Sequence, residues 1–449
     1  MDLTKIVKAY DVRGVVREEF DASVARALGI AFAQFAESPT IVVGRDMRPS
    51  GPEFVDAFAE GVMRQGVNVI DLGLVSTDMM YFASGRLDLA GVVFTASHNP
   101  AQYNGAKFCL SGARPVGIET GLDQVRDIAT AVLDGKGPAA AASAGTRSQQ
   151  QVLDEFIEHV LGFVDVTTIA PMRVVADTAN GMGGLVVPAL FERLPMIELE
   201  VMYGELDGTF PNHPADPLQP ANQKDLQARV ISGGFDIGLA FDGDADRVFI
   251  VDETGRGLSG STTTAILATS MLRANPGSTI LHNLICSKAV PETIRSHGGS
   301  PIRTRVGHSY IKAVMASSGA VFGGEHSAHY YFADNFRADS GLIASLVMIG
   351  EVSRAGVPLS QLRRPFEPYA SSGEINTTVS DPLAVIAHVR NEYSSYDTDE
   401  LDGLTVDAGD WWFNLRPSNT EPLLRLNLEA ADDTSVEHRV AEVLAHITR

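Results

Sequence analysis

Three aspartates at alternate positions, Asp242, Asp244 and Asp246, stand inside "IGLAFDGDADRVFIVDETG", residues 237–255, between two apolar runs. Such flanks hold the carboxylates at fixed positions, and crowded anions repel one another unless a cation sits among them; a solvated turn is the alternative. An EF-hand loop also begins D-x-D-x-D, but it needs glycine at its sixth place and helices on both sides. Here Arg247 takes that place and the flanks read as strands. Three hard oxygen ligands, with room for phosphate oxygens, suit Mg²⁺ acting as an electrophile in phosphoryl transfer.

A second stretch, "VVFTASHNPAQYNGAKF" at residues 92–108, starts as a buried strand and stops at Ser97 beside His98. The pair suggests a hydrolase nucleophile with its base. In an extended chain, however, successive side chains point to opposite sides, which predicts that the two are poorly placed to hydrogen-bond. Pro100 and the following "YNG" make a long loop beyond a strand's end, where α/β sheets bind ligands; an ordinary turn with a capping serine is the alternative. A third loop, "GGEHSAHYYF" at residues 323–332, offers Glu325, Ser327 and His329. An anionic acceptor, a hydroxyl and an imidazole in one turn suit the vicinal hydroxyls of a sugar. A fourth, "WWFNLRPSNTEPLLRLNL" at residues 411–428, reads strand, loop, strand and presents Arg416, Ser418, Asn419 and Thr420, with Arg425 on the returning strand. Guanidinium forks with hydroxyls and backbone N–H groups are what a dianionic phosphate needs. A plain hairpin turn explains Ser-Asn and Pro but does not require the arginines.

The elements that must position these loops alternate between short β-branched runs and amphipathic stretches. "TIVVGRD" is followed by "GPEFVDAFAEGVMRQG", whose Phe54, Val55, Phe58 and Val62 share a helical face, and then by "VNVIDLG" and "LAGVVFT". This predicts α/β sheets with crossover helices. Periodicity lapses in the Ala-, Gly- and Ser-rich residues 133–151, restarts at "MRVVADTANGMGG" and "GSTILHNLICSKAV", and shifts again at residues 363–375. After that comes a smaller α+β unit, ending in a helix with Val436, Val440, Val443, Leu444 and Ile447 on one face. No short-period repeat is present. A chain of 449 residues needs several cores. Its 35 basic against 56 acidic residues, 35 − 56 = −21, argue against nucleic acid or anionic lipid as partners. Cys109 and Cys286 support neither a disulfide framework nor a thiolate metal site, and neither a signal peptide nor a membrane-length apolar run is expected. These features place the protein in the cytoplasm.

Taken in order, "TASHNP", "DGDADR", "GEHSAH" and "RPSNTEP" resemble the motifs of the α-D-phosphohexomutases, in the phosphomannomutase/phosphoglucomutase branch. The resemblance implies four domains around a central cleft, three similar α/β domains with mixed sheets and a smaller C-terminal α+β domain. The bounds expected are 1–147 with the phosphoserine loop, 148–253 with the metal loop, 254–364 with the sugar loop and 365–449 for phosphate binding. It implies that Ser97 carries a phosphoryl group to the sugar and that Asp242, Asp244 and Asp246, with a phosphoserine oxygen, hold one Mg²⁺. Arg247, Lys107 and His98 are then expected beside the transferring group, Lys107 as candidate acid/base, with His308 of "RVGHSYIK" as another polar group in the cleft. Tyr10 and Arg13 of "AYDVRG" match a motif that also faces it. Glu325 and Ser327 would contact O3 and O4 of the sugar, and the Arg416–Arg425 loop would grip the phosphate that is not reacting. The implied reaction interconverts mannose 1-phosphate and mannose 6-phosphate, with the glucose pair as further substrates, through a hexose 1,6-bisphosphate that also serves as activator. Partners would be small hexose phosphates, the state monomer or homodimer, and the product a precursor of GDP-mannose. His326 departs from the methionine of many relatives. Phosphoglucomutase, phosphoglucosamine mutase and metal-dependent sugar phosphatase are the competing activities.

Overall fold

A computed structural model of the chain describes residues 2–417 and 423–447, and for residue 308 the backbone alone. The first sheet runs Val12–Val15, Tyr103–Leu110, Ala90–Phe94, Thr40–Arg45, Asn68–Leu74 and Arg147–Gln149, with Arg114–Pro115 paired to the edge of Tyr103–Leu110. Its four middle strands, from Tyr103–Leu110 to Asn68–Leu74, are one antiparallel pairing followed by two parallel ones. The second sheet repeats that arrangement with Val248–Asp252, Ile237–Phe241, Met172–Asp177 and Ile197–Met202. The third does so with Tyr330–Phe332, Phe322–Gly324, Thr279–Asn283 and Ser300–Thr304. In sequence numbering within each unit the order is therefore 4-3-1-2, with the fourth strand antiparallel. This is a repeated fold that the side-chain pattern alone did not disclose.

The repetition matters because each functional loop occupies the same place in it, the connection from strand three to strand four. Residues 95–102, 242–247 and 325–329 all leave the C-terminal end of a buried parallel strand and turn back at once. A tight reversal of this kind requires a left-handed residue, and each loop has one that is not glycine: Ser97 at φ 49°, Ala245 at φ 62° and Ala328 at φ 66°.

Parallel strands need crossovers, and helices such as Gly51–Arg64 supply them. Phe54, Val55, Phe58 and Val62 of that helix are buried. Ser76 caps Thr77–Leu87 by accepting from Met79 N, which fixes the first turn of a helix that abuts the acidic loop. The segment at residues 133–151 does not simply link units: Arg147–Gln149 returns to pair with Asn68–Leu74, so the first sheet extends past residue 147.

The fourth unit is an antiparallel sheet ordered Ala370–Thr378, Leu423–Ala430, Trp412–Pro417, Leu404–Asp407 and Asp397–Asp399, backed by Pro382–Glu392 and Asp433–Ile447. Its core, built on Trp411, Phe413, Leu415, Leu426 and Val443, is separate. The largest core instead runs through all three preceding units, from Val93 to Val175 and Ile280. Units one to three thus share apolar interior, whereas the fourth meets them through polar contacts such as Lys288 Nζ to Asp407 at 2.6 Å and Tyr369 to Glu292 at 2.9 Å. Among the described residues no single helix is long and apolar enough to cross a membrane.

Candidate active site

The strand Ala90–Phe94 is fully buried and delivers Ser97 to the centre of the molecule, where its side chain is almost wholly covered. The loop is held from behind by Arg48, a residue the sequence reading passed over. Its guanidinium donates to the carbonyls of Ser97 at 3.0 Å, Asn99 at 2.6 Å, Pro100 at 2.9 Å and Tyr103 at 2.7 Å. Its Nε pairs with Asp46 at 3.2 Å, and Phe210 covers its face with the ring centroid 5.1 Å away. One buried cation thereby supplies donors to the carbonyls of a tight non-regular loop, of which Pro100 O also accepts from Tyr103 N. We expect Arg48→Met to remove the guanidinium from those carbonyls and leave the buried Asp46 carboxylate without its cation, lowering stability by about 3–5 kcal/mol. Thermal unfolding would read that loss, and turnover measured below the new Tm would fall because Ser97 is no longer fixed.

Ser97 and His98 do come together, with Ser97 Oγ 3.3 Å from His98 Nδ1, contrary to the extended-chain expectation. The left-handed φ at Ser97 is the reason, since it breaks the alternation of side-chain directions. They do not form a nucleophile–base dyad, however. Arg247 Nη2 lies 2.6 Å from the same His98 nitrogen, and a guanidinium can only donate, so Nδ1 is the acceptor there. Burial first, then Arg247 and Arg13, hold His98 well below the usual imidazole range, which leaves it neutral with its lone pair taken. Ser97 Oγ gives its hydrogen to Asp242 Oδ2 at 2.8 Å instead.

The acidic loop reaches Ser97 because Ile237–Phe241 is buried along its length and because Gly243 has no side chain. A Cβ there would stand 2.4 Å from Ser97 O. Asp242 accepts from Arg247 Nε at 3.0 Å and Nη2 at 2.8 Å. Burial, with Asp244 and Asp246 adding repulsion against the attraction of Arg247, pushes its carboxyl up to about 7. Burial would also raise Asp244, but Lys107 and the Thr77 hydroxyl at 2.6 Å hold it well below the carboxylate range. Lys107 Nζ bridges Asp244 and Asp246 at 2.7 Å each. Burial would lower this ammonium, yet the two carboxylates drive it well above its ordinary value, so Lys107 is a cation at neutral pH.

Three carboxylates with mutually accessible oxygens within 4.8 Å of one another form a candidate metal centre. The second oxygens of Asp244 and Asp246, both Oδ1, are buried without a hydrogen-bond partner among the described residues. Buried orphan acceptors of that kind fit a hard cation and are otherwise costly.

The third loop adjoins this centre through its backbone, His329 bridging to Arg247. His329 Nδ1 lies 2.7 Å from Asp339 and 3.8 Å from Asp246. Burial opposes its charge, but Asp246 and Asp339 raise its pKa overall. Glu325 is buried and pre-oriented by three donors: Tyr331 OH at 2.5 Å, Asn283 Nδ2 at 3.1 Å and Gly307 N at 3.2 Å. Ser327 is half-buried beside it. Tyr10 donates to Val306 O at 3.2 Å, and Asp402 accepts from Val306 N at 3.3 Å, so the first, third and fourth units meet at one residue. Arg13 pairs with Asp11 at 2.7 Å and donates to Asn99 at 2.6 Å, bracing the Ser97 loop from its open side. His308 opens the helix His308–Ser318, and its side chain lies outside what the structure describes.

Arg416 and Arg425 face each other on paired strands. The turn at Gly403, next to Asp402, packs so closely on Arg416 that a Cβ there would meet Arg416 Cα at 2.7 Å. The arginine pair is thus tied to the junction of the units. Ser418, Asn419 and Thr420 lie outside the described residues.

Family models described as phosphoglucomutase/phosphomannomutase alpha/beta/alpha domains I, II and III match residues 4–133, 154–256 and 259–369, and the C-terminal domain of the same family matches 374–446. A Xanthomonas campestris pv. campestris protein described as phosphohexose mutases is 39% identical over 443 residues, 97% of each chain. The phosphomannomutase of Escherichia coli K12 is 37% identical over 434 residues, 95% of each. A crystal structure of a phosphoglucomutase/phosphomannomutase family protein from Burkholderia thailandensis superposes with a TM-score of 0.90 at 32% identity, over 100% of this chain and 98% of that one.

Proposed function

The chain belongs to the phosphoglucomutase/phosphomannomutase family, enzymes that move phosphate within a sugar, and from that premise we propose that it is a phosphomannomutase in which Ser97 carries the phosphoryl group. The single observation that carries the assignment of Ser97 is its hydroxyl, fixed 2.8 Å from Asp242 and 3.3 Å from Arg247 Nη2 at the mouth of the acidic loop.

The residues divide the work as follows. The phospho form of Ser97 is attacked by O6 of mannose 1-phosphate: the P–O6 bond forms, the P–Oγ bond breaks, and the proton that O6 gives up is matched by the one that returns Oγ to a hydroxyl. Mannose 1,6-bisphosphate then turns in the cleft. Its C1 phosphate then returns to Oγ: the P–Oγ bond forms as Oγ gives up its proton, the P–O1 bond breaks, and O1 takes a proton, which releases mannose 6-phosphate. Arg247 stabilises charge on Oγ and on the moving oxygens, and Lys107 is the ammonium placed to supply a proton. Asp242, Asp244, Asp246 and a phosphoserine oxygen are the groups that would hold one Mg²⁺, which when bound offsets charge on the phosphoryl oxygens. Glu325 and Ser327 take the sugar hydroxyls O3 and O4, whose configuration glucose and mannose share. Arg416 and Arg425 hold the phosphate that is not reacting, and Tyr10 and Arg13 close the cleft. A trace of hexose 1,6-bisphosphate rephosphorylates enzyme that has lost its phosphate. Two buried free thiols suit the cytoplasm, where small hexose phosphates are the substrates.

Phosphorus NMR of the enzyme with mannose 1-phosphate, Mg²⁺ and a trace of bisphosphate is expected to display the 6-phosphate accumulating without free phosphate. The same run with glucose 1-phosphate ranks the two sugars by initial rate. Steady release of inorganic phosphate would instead identify a phosphatase, for which the sugar loop and the arginine pair have no use.

A further inference from the structure

Glu374 stands between the two arginines. Its Oε2 lies 3.1 Å from Arg416 Nη2 and its Oε1 3.3 Å from Arg425 Nη1, one oxygen to each cation. These are longer than the ~2.7–2.9 Å of a tight charge-assisted bond, and neither is the bidentate fork that guanidinium prefers. The Nε atoms of both arginines are buried and without a partner among the described residues. One carboxylate therefore faces two cations with donors to spare, where a dianion with more acceptor oxygens would fit better.

The aim of Glu374 is built into the backbone. The strand Ala370–Thr378 shifts register against Leu423–Ala430 between Ser371 and Glu374, with Gly373 in the left-handed region at φ 65°. A bulge of this kind re-aims the residue that follows it. It sends the carboxylate across the neighbouring strand Leu423–Ala430 to Arg416 on the central strand, two strands away in the sheet order. Glu374 and Arg425 each remain about one-third exposed, at 32%, so the contact opens to the solvent from which a phosphate would arrive.

We propose that Glu374 is an internal stand-in for the non-reacting phosphate, holding Arg416 and Arg425 together while the site is empty and yielding them when a sugar phosphate docks. The inference rests on the assignment of these arginines to phosphate binding made above. It gives the carboxylate a use during turnover as well. The bisphosphate must let go of the arginine pair in order to turn, and a returning carboxylate offsets the contacts that the departing phosphate gives up. Affinity is the corresponding cost, because every phosphate competes with Glu374.

The test is kinetic, on the full-length enzyme, with Glu374→Gln removing the charge and Glu374→Asp keeping it. In Glu374→Gln the KM for mannose 1-phosphate and the inhibition constant for inorganic phosphate are expected to fall together by about threefold to fivefold, the scale of one partly exposed ion pair. Glu374→Asp should stay nearer the wild type in both. A rise or no change in the two constants for Glu374→Gln overturns the stand-in, since a strut that merely supports the arginines would weaken binding when removed. A crystal structure of the wild type soaked with inorganic phosphate gives a reading that needs no variant: Glu374 should lie beyond about 4 Å from both guanidiniums. Retention of both contacts with phosphate bound would count against it equally. Wild-type turnover in the same assay tests the mutase assignment separately, because its absence would sink that assignment while calorimetric phosphate binding by wild type and Glu374→Gln still decides the exchange.

Discussion

Replacing Ser97 with alanine is expected to lower turnover of mannose 1-phosphate by at least about a thousandfold, with binding still measurable by calorimetry. The size follows from what surrounds the missing oxygen. His98 has its Nδ1 lone pair committed to Arg247, Lys107 is held as an ammonium, and Arg247 has no lone pair to offer. None of them can stand in as acceptor of a phosphoryl group. Removing the hydroxyl should cost little stability, because Asp242 keeps Arg247 N, Nε and Nη2 as donors. The defect would therefore lie in chemistry and not in folding, and an unchanged Tm beside the lost rate would establish that separation. A variant turning over at near the native rate would remove Ser97 from the carrier role.

In the sequence, the carrier role of Ser97 follows only from the resemblance of four short, chemically dense strings to the motifs of one family. The apolar run ending in Asp242, Asp244 and Asp246 is legible because burial and charge conflict there, and such a conflict stands out in a sequence. The repeated strand order was not legible. Three sheets can share a topology while every core position is satisfied by any apolar residue of suitable size, so nothing in the side-chain pattern marks the repetition. Arg48 was missed for a related reason. Its work is done on backbone carbonyls, which leave no trace in residue types, and "GRDMRPSG" reads as an ordinary polar turn. One signal was available: an arginine between two buried segments with only Asp46 close in sequence as a counter-ion. Ser97 and His98 were misjudged because alternation assumes extended backbone, and the left-handed φ that the loop requires is not announced by a glycine. Glu374 was invisible because a bulge decides where it points.

Asp244→Asn is expected to lower the Mg²⁺-dependent rate by about 10²–10³-fold, on the scale of removing one group that stabilises charge in phosphoryl transfer. The side chain has two distinct ends. Its Oδ2 accepts from Thr77 at 2.6 Å and Lys107 at 2.7 Å, and its Oδ1 is the buried oxygen with no partner among the described residues. Asparagine has two ways to fit, and both fail. With its oxygen toward Thr77 and Lys107, the amide hydrogens point to where a cation needs an acceptor. Turned over, the amide nitrogen confronts two donors. In either orientation the loop loses one negative charge, so Lys107 keeps only Asp246 against the same burial and its hold on a proton weakens. Initial rate measured against Mg²⁺ concentration should show a lower maximum and a higher midpoint for the variant, and chelation should abolish what wild-type activity remains. An unchanged titration curve would take the metal away from this loop. The two buried oxygens of Asp244 and Asp246 would then be unsatisfied acceptors at the centre of the molecule, offset by nearby charges such as Lys107, Arg247 and His329 but hydrogen-bonded by none of the described residues.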